Sequence, residues 1–291
     1  AVPSVEMSSA GVVNVASKWK AHSSTLEITT SADSSTIEEG SRVVMRVYNV
    51  RTPSCLHTTA AANVSSLDSA GHVVDKPTGV AIASVSKGAL GTPSRWTAAN
   101  GAPAVTTDST VTFRSAGGIG EGGRIKVVLP SVGWSMPSAP VIEFIRPSAV
   151  NATAAWNAGT RTLLITTTSG EIAEGAAVEL IVKDTVTPPS VTESGSASVE
   201  TFERVTAGNT TVWPAIDTGS LNTNATGAGA LSNVSWALSA NTPGVTNNAT
   251  VEMVLSGRIG GDNGIEIVLP EVPSAAHSWS MAGSGRVVEF V

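Results

Sequence analysis

At 291 residues and 29.4 kDa the chain exceeds the roughly 250 residues at which single hydrophobic cores stop growing, so two domains of ordinary size are expected. Only 14% of residues are charged and 4% aromatic, the weight lying in Ala, Val, Ser, Thr and Gly, which suits thin β-layers. A net charge of −6 offers no electrostatic footprint for nucleic acid or anionic lipid, and no apolar run approaches the ~18–20 residues of a membrane helix.

Taken in chain order, the apolar pattern repeats. "VEM" (Val5 to Met7) leads to Trp19, then "TLEI" (Thr25 to Ile28), Ile37, Gly40 and the alternating Val43, Met45 and Val47. This is a first A element. A first B element follows, with Trp96, "TVTF" (Thr110 to Phe113), Ile119, Gly122, Ile125, Val127, Leu129 and Pro130. A second A element then supplies "IEF" (Ile142 to Phe144), Trp156, "TLLI" (Thr162 to Ile165), Ile172, Gly175, Val178, Leu180 and Val182. A second B element closes the series with Trp236, "TVEM" (Thr250 to Met253), Ile259, Ile265, Ile267, Leu269 and Pro270.

The tryptophans separate the two types, standing six residues before Thr in A and fourteen before it in B. Further marks agree: Thr52-Pro53 matches Thr187-Pro188, and "WSM" recurs at Trp134 and Trp279. An internal duplication in the order A, B, A, B follows.

Each element alternates apolar and polar residues with period two, the mark of a strand with one buried and one wet face. The joining turns, such as "SAGGIGEGG" and "GGDNG", are rich in residues that accept positive φ. The expected fold is all-β: two tandem antiparallel, immunoglobulin-like β-sandwich units over residues 1–140 and 141–286, each pairing an A with the B that follows it. Residues 287–291 would begin a further unit. The core should hold Ile28, Val43, Met45, Phe113, Ile125, Val127, Ile165, Val178, Leu180, Met253, Ile265 and Ile267. The long Ser/Thr/Gly/Asn-rich stretches 53–76 and 188–233 read as exterior loops or a marginal extra hairpin.

Six Asn-x-Ser/Thr sequons stand at Asn63, Asn151, Asn209, Asn224, Asn233 and Asn248, where composition alone would give about three or four. With an Ala-Val-Pro start that fits a processed product or a segment of something longer, they point to an extracellular or cell-surface protein carrying covalent glycans. Cys55 is the only cysteine, so no intrachain disulfide can form.

Candidate chemistry is sparse. The run Gly117 to Gly123 resembles a phosphate cradle but lacks the following helix and Lys-Ser/Thr, and reads as a strand-joining turn. Cys55 and His57 stand two apart, yet His22, His72 and His277 have no ligand-type spacing to them. Glu38, Glu39, Glu121, Glu174 and Asp262 near the turns could be imagined around calcium, but read as solvated acids. No nucleophile elbow, HExxH pair or converging His and carboxylate appears, so no catalytic, cofactor or metal site is assigned. Trp19, Trp96, Trp156 and Trp236 have the fixed offsets of core plugs. Trp134, Trp213 and Trp279 are the candidates for a contact surface.

The B element "STVTFRSAGGIGEGGRIKVVLPSV" resembles a pattern in very large tandem-repeat surface proteins of algae, other protists and some prokaryotes. The resemblance implies strings of immunoglobulin-like sandwiches serving as stalk, filament or surface material, and carries over no catalytic or binding residue. The expected function is thus a non-enzymatic structural subunit of an extracellular filament, stalk or surface layer, with copies of itself or adjacent repeats of a longer chain as partners. The alternative is an adhesin or carbohydrate-binding module using Trp134, Trp213 or Trp279. The final Val287, Val288, Glu289, Phe290 and Val291 repeat the "VEM" and "IEF" strand and are expected to pair with a following unit, giving an open head-to-tail polymer.

Overall fold

Alternating β-branched residues, separated by Gly- and Ser-rich turns, leave the chain few options besides extended structure. A computed structural model describes residues 4–8, 13–34, 36–50, 52–53, 60–260 and 264–270. Cys55, His57, Asp262, His277, Trp279 and the strand Val287 to Val291 lie outside these residues. The described residues are all-β, relieved only by one 3-10 turn at Ala21–Ser23. No helix among them is long and apolar enough to cross a membrane.

The chain divides into two compact units, residues 1–85 and 86–291. The first holds β1 (Ser4–Ser8), β2 (Val15–Lys20), β3 (Thr25–Thr30), β4 (Val44–Tyr48), β5 (Ala60–Leu67) and β6 (Val73–Ile82). They form three antiparallel pairs, β1 with β4, β2 with β3 and β5 with β6.

The second unit begins with β7 (Gly88–Ala89), β8 (Gly91–Ala98), β9 (Thr106–Arg114) and β10 (Arg124–Val128). It continues with β11 (Ile142–Arg146), β12 (Asn151–Asn157), β13 (Thr162–Ser169), β14 (Ala177–Val186) and β15 (Gly195–Phe202). Then come β16 (Val205–Ala207), β17 (Thr210–Val212), β18 (Ala215–Thr223), β19 (Ser232–Leu238) and β20 (Ala249–Val254). Ten of these build one sheet in the order β11-β14-β9-β8-β18-β15-β10-β13-β12, with β7 also on β18. Its two outermost strands are consecutive in the chain and touch, so the sheet nearly closes on itself and has little free edge. Only the pairings of β18 with β7 and β8 are parallel.

Inside this sheet lie Trp96, Val111, Phe113, Ile119, Ile125, Val127, Leu129, Leu163, Ile165, Ile172, Leu180 and Leu221, all fully buried. Each contributes about 1.5–3 kcal/mol by leaving water. Trp134 joins them, its ring edge-on to Trp96 at 5.9 Å and 75°.

The division falls elsewhere than at 140. The sheet takes β8, β9 and β10 from one side of that point and β11 to β15 and β18 from the other, with Ile125 opposite Ile165 and Val178 opposite Phe113. The closed core therefore unites the first B element with the second A element. The physical reason lies in the pattern itself, since an alternating face is buried equally well by the element before it or the element after it.

The segment 188–233 also departs from expectation. Its hairpin is central: β15 and β18 pair with each other inside the sheet and bury Ala197, Val199 and Leu221. Small and polar inward residues hid this, because Ala197, Thr201 and Thr223 fill a tightly packed layer without raising hydrophobicity.

Candidate functional site

The duplication is visible strand by strand. In the first A element Trp19 faces Leu26 and Val15 faces Thr30; in the second, Trp156 faces Leu163 and Ala152 faces Thr167. Val5 to Met7 pair with Val47 to Met45 in the register in which Ile142 to Phe144 pair with Val182 to Leu180. In the B elements Trp96 faces Val111 and Trp236 faces Val251, with Ala98 on Ser109 and Leu238 on Ala249. Each of these strand pairs thus forms twice in the same register.

What differs is burial. Trp156 is 9% exposed and Leu180 0%, while their counterparts Trp19 and Met45 are 50% and 42% exposed. Trp96 and Ile125 are 0% exposed, against 38% for Trp236 and 44% for Ile265. Ile37 and Ile259 stand exposed where Ile172 and Ile119 bridge each other in the core.

Of the twelve residues expected in the core, the six from the first B and second A elements are buried. Val43, Met45, Ile265 and Ile267 are exposed, and Ile28, Met253 are half-buried. Trp19 and Trp236, expected as core plugs, are likewise exposed. Residues 264–270 form no strand, although they match β10. The cause is the absent neighbour: β10 is held between β13 of the second A element and β15 of the 188–233 segment, and among the described residues no strand pairs with 264–270.

Large apolar side chains are left exposed outside the ten-stranded sheet: Trp19 and Met45 on the first A element, Trp236, Ile265 and Ile267 on the second B element, and Val64, Val80 and Ile82 on the β5–β6 pair. Such patches mark interaction surfaces.

The other expected contact residues fare differently. Trp134 is core, because Trp96 and the sheet interior give its ring more apolar surface than water would. Trp213 is half-buried, its indole N–H donating to the Gly122 carbonyl at 3.0 Å while the Arg124 guanidinium lies 3.5 Å over its ring. That face is occupied by a cation–π contact. The six sequon asparagines are all exposed, and Asn151 donates to the Ser169 hydroxyl at 2.8 Å.

The Gly-rich run joins β9 to β10 as a turn, and its backbone N–H groups hold an internal carboxyl group. Asp217, fully buried on β18, accepts from the backbone N–H of Ala116 at 3.1 Å, from that of Gly117 at 3.1 and 3.2 Å, and from the Thr201 hydroxyl at 3.1 Å. Sequence reasoning passed over it. The signal was there, since Asp217 shares inward parity with Leu221 on an alternating strand. The fit is close: a Cβ on Gly88 would stand 2.5 Å from Asp217 Oδ1 and 2.7 Å from the Ala116 Cβ. Gly88→Ala should cost about 1–3 kcal/mol by overpacking, read from the urea midpoint.

Ion pairs lie on the outer surface. Glu200 receives Lys87 at 2.9 Å and Lys126 at 3.3 Å, and these ammonium groups, Lys87 first, hold its carboxyl below the usual carboxylate range. A depressed folded-state value means stability present above the unfolded pKa of about 4.3 and lost as pH falls through the folded value. Glu200→Gln should therefore cost about 0.5–1 kcal/mol at pH 7 and progressively less as pH falls below the unfolded value, by urea titration over a series of acid pH values. Lys183 bridges Asp108 at 2.9 Å and Glu143 at 3.3 Å, fastening β9 and β11 across β14, and its pKa is raised chiefly by Asp108.

Among the described residues no three His, Cys, Asp or Glu side chains gather as a metal site would require. The acids near the turns, Glu38, Glu39, Glu121 and Glu174, are exposed. The class defined by fold and surface is an all-β protein with a near-closed ten-stranded sheet and, among the described residues, exposed apolar side chains on the first A element, the β5–β6 pair and the second B element. No known family model matches the chain, and no curated protein matches it.

Proposed function

We propose that this protein is a non-enzymatic structural subunit of an extracellular filament, stalk or surface layer, built by head-to-tail association of immunoglobulin-like sandwich repeats. One observation carries this reading: the faces exposed on the first A and second B elements are repeats of faces buried in the core. Moving one half-exposed apolar side chain out of water is worth about 1 kcal/mol, so several buried together offset a substantial part of the ~4–15 kcal/mol cost of association. The resemblance of the B element to tandem surface repeats points the same way.

In this reading the repeating sandwich is a B element joined to the A that follows it, and tandem units run on through the polymer. The adhesin or carbohydrate-binding alternative has lost Trp134 to the core, and Trp213 has one face under Arg124.

Electron microscopy of the purified chain over rising concentration tests the function. Regular filaments or sheets are expected; a protein monodisperse and monomeric near 1 mM would overturn it. The extracellular and glycoprotein parts rest on the exposed sequons. Intact-mass analysis of native material should give a mass above 29.4 kDa that falls on deglycosylation, with modification concentrated in residues 141–286. An unmodified mass would remove the case for a glycosylating secretory route.

A further inference from the structure

The core records how a B element and an A element fit together, and that record specifies the partner of each open face. We infer that the second B element of one copy packs against the first A element of a second copy, in the register that β10 and β9 adopt with β13 and β14. The inference rests on the proposed head-to-tail assembly and identifies its contact.

The register is read from the repeat. Ile125 opposite Ile165 becomes Ile265 opposite Ile28, and Leu180 opposite Val111 becomes Met45 opposite Val251. The Ile119–Ile172 bridge, made by reciprocal N–H to carbonyl bonds of 2.8 and 2.9 Å, becomes Ile259 with Ile37. All six substitute residues are apolar, and all are exposed or half-buried as they stand.

Strand structure over residues 264–270 is expected to form only on contact, as β10 forms against β13 of an A element on one side and β15 on the other. In the core, residues 129–141 connect the B element to the A element that packs against it.

One position fits poorly. Lys126 opposite Leu164 becomes Glu266 opposite Glu27, like charges on the outer face of the joint. Glu27 already holds Lys20 at 3.0 Å. Assembly should consequently tighten a few-fold between low and physiological salt as this repulsion is screened.

Disulfide trapping tests the contact in the full chain on a Cys55→Ser background. Paired β residues lie ~4.5–5.5 Å apart, within disulfide range. Two proteins are prepared, one carrying Ile37→Cys and the other Ile259→Cys, both at exposed positions that leave the core intact. On mild oxidation their mixture should give a heterodimer as the main product, and the double variant a ladder of oligomers. Ile37→Cys with Ile267→Cys, out of register, should trap at least ten-fold less.

Filaments that form without the Ile37–Ile259 crosslink would overturn this contact and leave the proposed function standing. No assembly and no crosslink would overturn both. A crosslink confined to single chains of the double variant would show the faces closing on each other within one molecule, which also overturns it.

Discussion

Leu180→Ala is expected to remove about 3–5 kcal/mol from the unfolding free energy of the second unit, whereas Met45→Ala, at the same place in the repeat, removes less than about 1 kcal/mol from a dilute, unassembled chain. Leu180 is fully enclosed, opposite Val111 on one side and Phe144 on the other. Truncating it loses the transfer energy of its methyl and methylene groups and leaves a cavity that the flanking ladders prevent from collapsing. Met45 faces Met7 in the same register, yet lies largely in solvent, so its truncation opens no cavity. Urea unfolding followed through the fluorescence of Trp96, Trp134 and Trp156 reads the first value, and far-ultraviolet circular dichroism the second. In assembled material the contrast should narrow, Met45→Ala then weakening assembly several-fold by sedimentation. Equal losses at both positions in the dilute chain would contradict the burial that separates the two halves.

Much of this was legible in the residues. Alternation located the strands, and the Trp offsets gave the duplication that the paired registers reproduce, with Trp19 on Leu26 and Trp156 on Leu163. The phase of the duplication was not legible. A strand pattern states that one face is apolar and says nothing about whether the covering element comes before or after it, so residues 1–140 and the closed sheet describe the same repeat half a unit apart.

Two further residues show where periodicity runs out. Trp134 lies in "GWSMPS", a Gly- and Pro-containing connection with no alternation to mark its inward side, and only its edge-on contact with Trp96 shows it to be core. The hairpin of β15 and β18 was hidden by composition, since Ser, Thr and Gly in "GSASVETF" and "AIDTGSLNT" read as loop, while Thr201 and Thr223 are buried beside Ala197, Val199 and Leu221. Where the covering layer is close, a small side chain is what fits, as Gly219 shows: a Cβ there would come within 2.9 Å of the Leu90 Cβ.

Asp217→Ala is the second large effect, expected to cost about 3–5 kcal/mol without altering either open face. The carboxylate takes three separate donors at ordinary distances, and no water reaches its side chain. Removing it strands the N–H groups of Ala116 and Gly117 and the Thr201 hydroxyl in the interior, and each stranded donor costs about 1–3 kcal/mol, partly relieved by movement of the turn. Asp217→Asn should be milder, about 1–2 kcal/mol, because one oxygen still accepts from Gly117 while the amide presents N–H to N–H at Ala116. Thr201→Val probes the other side of the network: it removes one donor to the carboxylate, leaving it two, and the hydroxyl that accepts from the Asp217 N–H at 3.2 Å, for about 1–2 kcal/mol. Of the three values, read as urea midpoints at pH 7, that of Asp217→Ala should be the largest. If Asp217→Ala were no worse than Thr201→Val, the Gly-rich turn would be held by its own φ preferences and by the Ile119–Ile172 bridge rather than by the buried acid.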